Sequence, residues 1–111
     1  MNKVALIGRF TKDPDVGMTK GENSKAFARF TLAVDRRFKD ADGKRQADFI
    51  SCKAYGPTAD FIGKWFAQGD KIAVNGWIMT GSFQAADGRQ VYTTDVIVDD
   101  AEFCESKGAK T

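Results

Sequence analysis

Phe49, Ser51, Lys53 and Tyr55 occupy alternate positions and interleave flat rings with a cation along one stretch of this 111-residue chain. On a β-strand, alternate residues project to one face at about 6.6–6.8 Å per pair, so these four would form a strip about 20 Å long. An aromatic face stacks on any nucleobase, worth about 1–3 kcal/mol each, while nearby Lys and Arg neutralise phosphates and release counterions. Phe38, set among Arg36, Arg37 and Lys39, and Phe83 further along extend the same combination. The chemistry that suits these side chains is non-covalent: a sequence-tolerant grip on an unpaired polynucleotide strand.

Solvent-side aromatics on strands also serve as cross-strand packing partners or as subunit contacts. Trp77 is outward by alternation, and a subunit contact explains a lone tryptophan as well as binding does. Trp65 reads as packing. Phe27 and Arg29 read as structure or as a subunit seam. Stacking alone does not separate DNA from RNA, because both offer the same π-faces.

Catalytic chemistry finds little support. The chain has no histidine, which removes the usual general base near neutral pH, the commonest zinc ligand and every Ser-His or Cys-His nucleophile pair. It also lacks a phosphate-binding Gly-x4-Gly-Lys-Ser/Thr loop, zinc-ligand spacing and a dinucleotide-binding glycine fingerprint. The carboxylate pairs Asp13/Asp15, Asp40/Asp42 and Asp99/Asp100 fall in loops or near the terminus, where turn formation and solvation ordinarily account for Asp. The expectation is a non-catalytic protein with no metal or other cofactor.

The elements that must position these residues belong to one domain, since a chain of this length has too little apolar surface for two cores. With 42% hydrophobic and 29% charged residues, a real core can form. Net charge is +2, but residues 1–53 hold 12 Lys and Arg against 7 Asp and Glu, and the remainder 5 against 8. The basic half is a weak pointer to a polyanion. Cys52 and Cys104 read as free thiols, too few for a disulfide framework. No apolar run approaches the roughly 20 residues of a bilayer span, and Met1 leads into a strand-like run and not a signal peptide, so a soluble cytoplasmic protein is expected.

Alternation predicts a first strand over 2–10, and Thr11–Lys25 reads as a long connecting loop without packing. A second strand over 26–37 places Ala26, Ala28, Phe30, Leu32 and Val34 inward, and Asp42-Gly43 marks a basic hairpin. The third strand, 47–55, points Ile50, Cys52 and Ala54 at the core. Pro57 opens a helix that runs to about Ala67, before Gly69. A strand over 71–83, with Ile72, Val74, Gly76 and Ile78 inward, turns at Asp87-Gly88 into a last strand, 90–98. Three strands, one helix and two strands is the order of the OB-fold, an all-β, five-stranded Greek-key barrel with one short helix between strands 3 and 4.

The run Asn2-Lys-Val-Ala-Leu-Ile-Gly-Arg-Phe10 with Asp13-Pro14, then Phe30-Thr-Leu-Ala-Val34, Ala47-Asp-Phe-Ile-Ser-Cys52, Gly69-Asp-Lys71, Val74-Asn-Gly76, Gly88 and Tyr92-Thr-Thr-Asp-Val96 resembles the bacterial single-stranded DNA-binding protein family over nearly all of residues 2–98. The resemblance implies an OB-fold that assembles as a homotetramer and protects single-stranded DNA during replication, recombination and repair. It also implies base stacking at four aromatic positions, which fall here on Phe38, Phe49, Tyr55 and Phe83. The family commonly has arginines where this chain has Trp77 and Gly81, which weakens the expected phosphate grip along that edge. It often has an acidic residue at Asn75, so an interface ion pair with Lys3 is not available here. Residues 1–103 are expected to form the single-stranded DNA-binding domain. Residues 104–111 are expected to be a disordered end lacking the acidic tip that recruits replication and repair proteins in the family.

Overall fold

Strong alternation should produce long strands, and it does. A computed structural model describes residues 1–105. Among these are strands β1 (Val4–Phe10), β2 (Asp15–Met18), β3 (Ala26–Lys39), β4 (Arg45–Tyr55), β5 (Lys71–Gln84) and β6 (Gln90–Phe103), with helix α1 (Pro57–Trp65) between β4 and β5. The strand order is β1-β5-β6-β4-β3-β2, and β1 returns to β3 through Arg9↔Ala33 and Phe10↔Leu32. β1, β5, β6, β4 and β3 thereby close a five-stranded barrel of the OB type, its helix between the third and fourth barrel strands. Neighbours run antiparallel except β4 and β6, which pair in parallel through Cys52↔Val96, Lys53↔Ile97 and Ala54↔Val98.

The inward parity of each strand fills the barrel. Phe30, Leu32, Cys52, Ala54, Ile72, Val74, Val96 and Val98 are buried. Pro57 supplies the first helical turn of α1, and Ala59 and Ile62 face the barrel. Ile62 is fully buried, so its replacement by Ala would cost about 2–5 kcal/mol. Past the helix, the Phe66 ring stacks on Phe10 at 5.5 Å, and Phe10 stacks on Phe30 at 4.9 Å. Both Asp-Gly dipeptides sit in tight turns, closed by Asp40 N–H to Lys44 carbonyl (2.7 Å) and Ala85 N–H to Arg89 carbonyl (2.8 Å).

Three sequence expectations change. Part of the stretch 11–25 is not loop: β2 pairs with β3 from Asp15↔Arg29 to Met18↔Ala26. Ile78 does not face the core but is exposed, because the β5–β6 hairpin leaves the barrel and both faces of β5 meet solvent from Trp77 onward. The last strand continues beyond Val98 to Phe103 through an irregularity: Gly76 pairs with Val98 and Asn75 with Asp100, so Asp99 is skipped. That bulge reverses the parity of β6 and brings Phe103 onto Phe66 at 5.1 Å. A Cβ on Gly76 would run into the Ile97 carbonyl, so the bulge requires glycine there.

Trp65, expected to pack, meets the Phe103 ring edge-on at 6.3 Å yet stays 45% exposed. Cys52 is a buried free thiol and Cys104 an exposed one. Glu105 is held by Arg9 at 3.0 Å; residues 106–111 of the end expected to be disordered lie outside the described residues.

Candidate nucleic-acid interface

Phe49, Ser51, Lys53 and Tyr55 share the outer parity of β4, opposite the buried Cys52 and Ala54. Register fixes what stands beside them on β3: Ala33 opposite Phe49, Thr31 opposite Ser51, Arg29 opposite Lys53 and Phe27 opposite Tyr55. Small neighbours leave Phe49 70% exposed, with its ring available to solvent. On the other side of β4, Lys53 pairs with Ile97, and Ile97 with Trp77. One row of the sheet therefore reads Arg29, Lys53, Ile97, Trp77 across four strands. The outward-pointing Ile97 is nonetheless buried, while Trp77 keeps 36% of its surface.

The fold brings Phe49, Lys53, Tyr55 and Trp77 onto one continuous face. Phe83 lies six residues beyond Trp77 on the projecting β5–β6 hairpin, opposite Val91, and is exposed. Phe38 stands apart from the β4 column. It is at the end of β3, within the register irregularity between Asp35 and Lys39, and is 70% exposed. Arg37 and Lys39 flank it in the same exposed stretch.

Charge is less available than cation positions alone suggest. Arg36 places Nε and Nη2 on the Asp48 carboxylate at 2.9–3.2 Å. This fork holds Asp48 below the ordinary carboxylate range and raises Arg36 further, chiefly through the side-chain hydrogen bonds. Lys53 Nζ lies 3.4 Å from Asp95 Oδ2. Asp95 is only 8% exposed although it points to the outer side of β6. Among the described residues, Arg37 and Lys39 form no ion pair, so they are the cations of this group most open to a phosphate.

Asp40 organises the hairpin tip that carries Lys44. Its carboxylate accepts from the N–H groups of Asp42 (3.0 Å) and Lys44 (2.9 Å) and from the Gln46 amide (2.8 Å). These bonds, Gln46 foremost, lower its pKa. Asp13 accepts from the Gln68 N–H, and Asp15 binds Arg29. Among the described residues no group of three or more acidic, Cys or His side chains is placed to hold a metal ion.

Sequence reasoning passed over Asp48 and Asp95, the two carboxylates that engage predicted cations. Asp48 carried a signal, since it lies directly opposite Val34, two residues before Arg36, in a hairpin whose turn was legible. Asp95 carried none, because it reaches Lys53 through the parallel β4–β6 pairing of distant segments.

A family model described as the single-strand binding protein family matches residues 1–104. The chain is 51% identical over 106 residues to a single-stranded DNA-binding protein of Clostridium perfringens, covering 96% of this chain and 67% of that protein. It is 39% identical over 110 residues to one of Oceanobacillus iheyensis, covering 99% and 67%. It is 43% identical over 109 residues to one of Fusobacterium nucleatum, covering 96% and 69%. A barrel of this type with a matching family model over most of its length defines the class: the chain belongs to the single-strand binding protein family. That family is one of non-enzymatic DNA-binding proteins.

Proposed function

We propose that the chain binds single-stranded DNA with little sequence preference, stacking bases on Phe38, Phe49, Tyr55 and Phe83. Arg37 and Lys39 neutralise phosphates directly, while Arg36 and Lys53 do so in competition with Asp48 and Asp95. Trp77 borders the bound strand. The observation that supports this reading best is the β4 column, where an exposed Phe49 and an exposed Tyr55 flank a lysine on an open sheet face. The names of the relatives point to the same ligand.

In the cell such binding protects exposed DNA during replication, recombination and repair, in the cytoplasm at the nucleoid. Among the described residues no helix is long and apolar enough to cross a membrane. A homotetramer is the assembly proposed. Ile7, on the outer parity of β1, and Ile78 and Tyr92 on the hairpin are exposed apolar surface that subunit contact would cover.

Titration with poly-dT at two salt concentrations, joined to a light-scattering mass, tests the reading. Expected are salt-sensitive binding and a mass four times 12.2 kDa. A chain that ignores poly-dT yet assembles would instead be a structural or protein-interaction OB module. A chain that prefers a matched RNA oligomer would be a single-stranded RNA binder.

A further inference from the structure

Beside Tyr55 the outer face runs into an open groove of about 330 Å³ between β2 and the β3–β4 pair, lined by Met18, Lys20, Phe27, Arg29, Lys53 and Tyr55 among others. Its size lies at the low end of small-ligand sites, about 300–1,000 Å³, which suits one flat ring system. Phe27 forms one wall. It stands opposite Gly17 on β2, and a Cβ at Gly17 would come within 2.9 Å of Phe27 Cε1 and Cζ, so glycine makes room for the ring. On its other side Phe27 is the register partner of Tyr55. Directly opposed side chains share a face about 4.5–5.5 Å apart at Cβ. Yet among the described residues these two rings form no stacked or edge-on pair with each other, and both line the groove.

Charge around the groove is already assigned, with one exception. Arg29 binds Asp15 at 3.0 Å and lies 5.6 Å from the centroid of the Phe27 ring. Lys53 binds Asp95. Lys20 forms no ion pair among the described residues. Met18, exposed at the rim, offers a thioether that adapts to the edge of a flat group.

We infer that this groove is a base-binding subsite, continuous with Tyr55, which seats one further nucleotide of a bound strand: the base between Phe27 and Tyr55, its phosphate on Lys20. The inference rests on the single-stranded DNA reading and lengthens the bound path beyond the column on β4.

The test is an equilibrium titration of the intact chain with labelled oligo-dT, comparing the parent with Phe27→Leu and with Lys20→Ala. Leucine keeps an apolar cover over Gly17 but has no π-face, and the expected loss of affinity is about 5-fold or more. Lys20→Ala should reduce the slope of log affinity against log salt by about 0.7, one phosphate contact on a single strand. If parent and variants bind with equal affinity and equal slope, the subsite is wrong and the wider reading survives. If the parent itself ignores oligo-dT, both fall. Should Phe27→Leu fail to fold, the salt slope of Lys20→Ala decides alone.

Discussion

Lys53 on β4 reaches Asp95 on β6 with its ammonium 3.4 Å from the carboxylate, across the parallel pairing of two strands. Asp95 is almost wholly buried, whereas Lys53 keeps about a third of its side chain in solvent. Under the proposed function the lysine has two tasks, neutralising a buried anion and facing a polyanion. Lys53→Ala leaves Asp95 without that partner and should destabilise the fold by about 1–3 kcal/mol in urea unfolding. Asp95→Asn releases the lysine. It should tighten oligo-dT binding and steepen its salt slope by up to about 0.7. A Lys53→Ala salt slope equal to the parent's would show that Lys53 meets no phosphate.

Trp77 shares a sheet row with Lys53 through Ile97, and its partial exposure makes it a reporter for this face. In Trp65→Phe protein, where Trp77 is the only tryptophan, saturating oligo-dT should quench the emission. An unchanged spectrum under conditions where binding is seen by another method would put the strand elsewhere on the barrel.

Acid should loosen the β3–β4 hairpin before the barrel. Asp40 and Asp48 both have folded pKa values below 3.8, through bonds to Gln46, Lys44 and Asp42 and to Arg36 respectively. A depressed carboxylate contributes stability that is present above its unfolded value and is lost as pH falls through the folded value. Hydrogen exchange at the Asp42 and Lys44 amides should accelerate, relative to barrel amides, as pH drops below 3.8. Asp40→Asn should show that acceleration already at neutral pH, once intrinsic exchange rates are allowed for. Equal protection in parent and variant would contradict the role given to Asp40.

The two thiols should differ sharply. Burial, and secondarily the Asp95 charge, pushes Cys52 up to about 12, while Cys104 is exposed. At pH 8 a thiol reagent should label one cysteine in the native chain and both in denaturant. Because the folded value exceeds the ordinary 9.0, stability from this group is complete below pH 9.0 and is lost as pH rises toward 12. Rapid native labelling of Cys52 would mean that the barrel opens far more readily than its packing suggests.

Much of the barrel was legible because period-two alternation is strict where one face is core and the other solvent. Phe30, Leu32, Cys52, Ala54, Ile72 and Val74 declared their side in this way, and so did Phe49, Lys53 and Tyr55. Asp42-Gly43 and Asp87-Gly88 marked their turns. β2 escaped because Asp15-Val-Gly-Met18 is too short to show a period and owes its order to pairing with β3. The end of β6 escaped because the skipped Asp99 breaks alternation, leaving Phe103 on what reads as the wrong side. The exposure of Ile78 depends on where the hairpin leaves the barrel, which alternation does not report. At the candidate interface the rings were legible and the state of the cations was not. Lys53 meets Asp95 only through a parallel pairing that no local pattern announces.

The most direct test of the central claim is the affinity of folded Phe49→Ala for oligo-dT at fixed salt. Phe49 projects from the outer face, so its removal should leave the circular dichroism and thermal midpoint essentially unchanged. Binding should weaken by about 1–3 kcal/mol, the worth of one base stacked on one ring. A folded variant that binds as tightly as its parent would contradict base stacking on the β4 column.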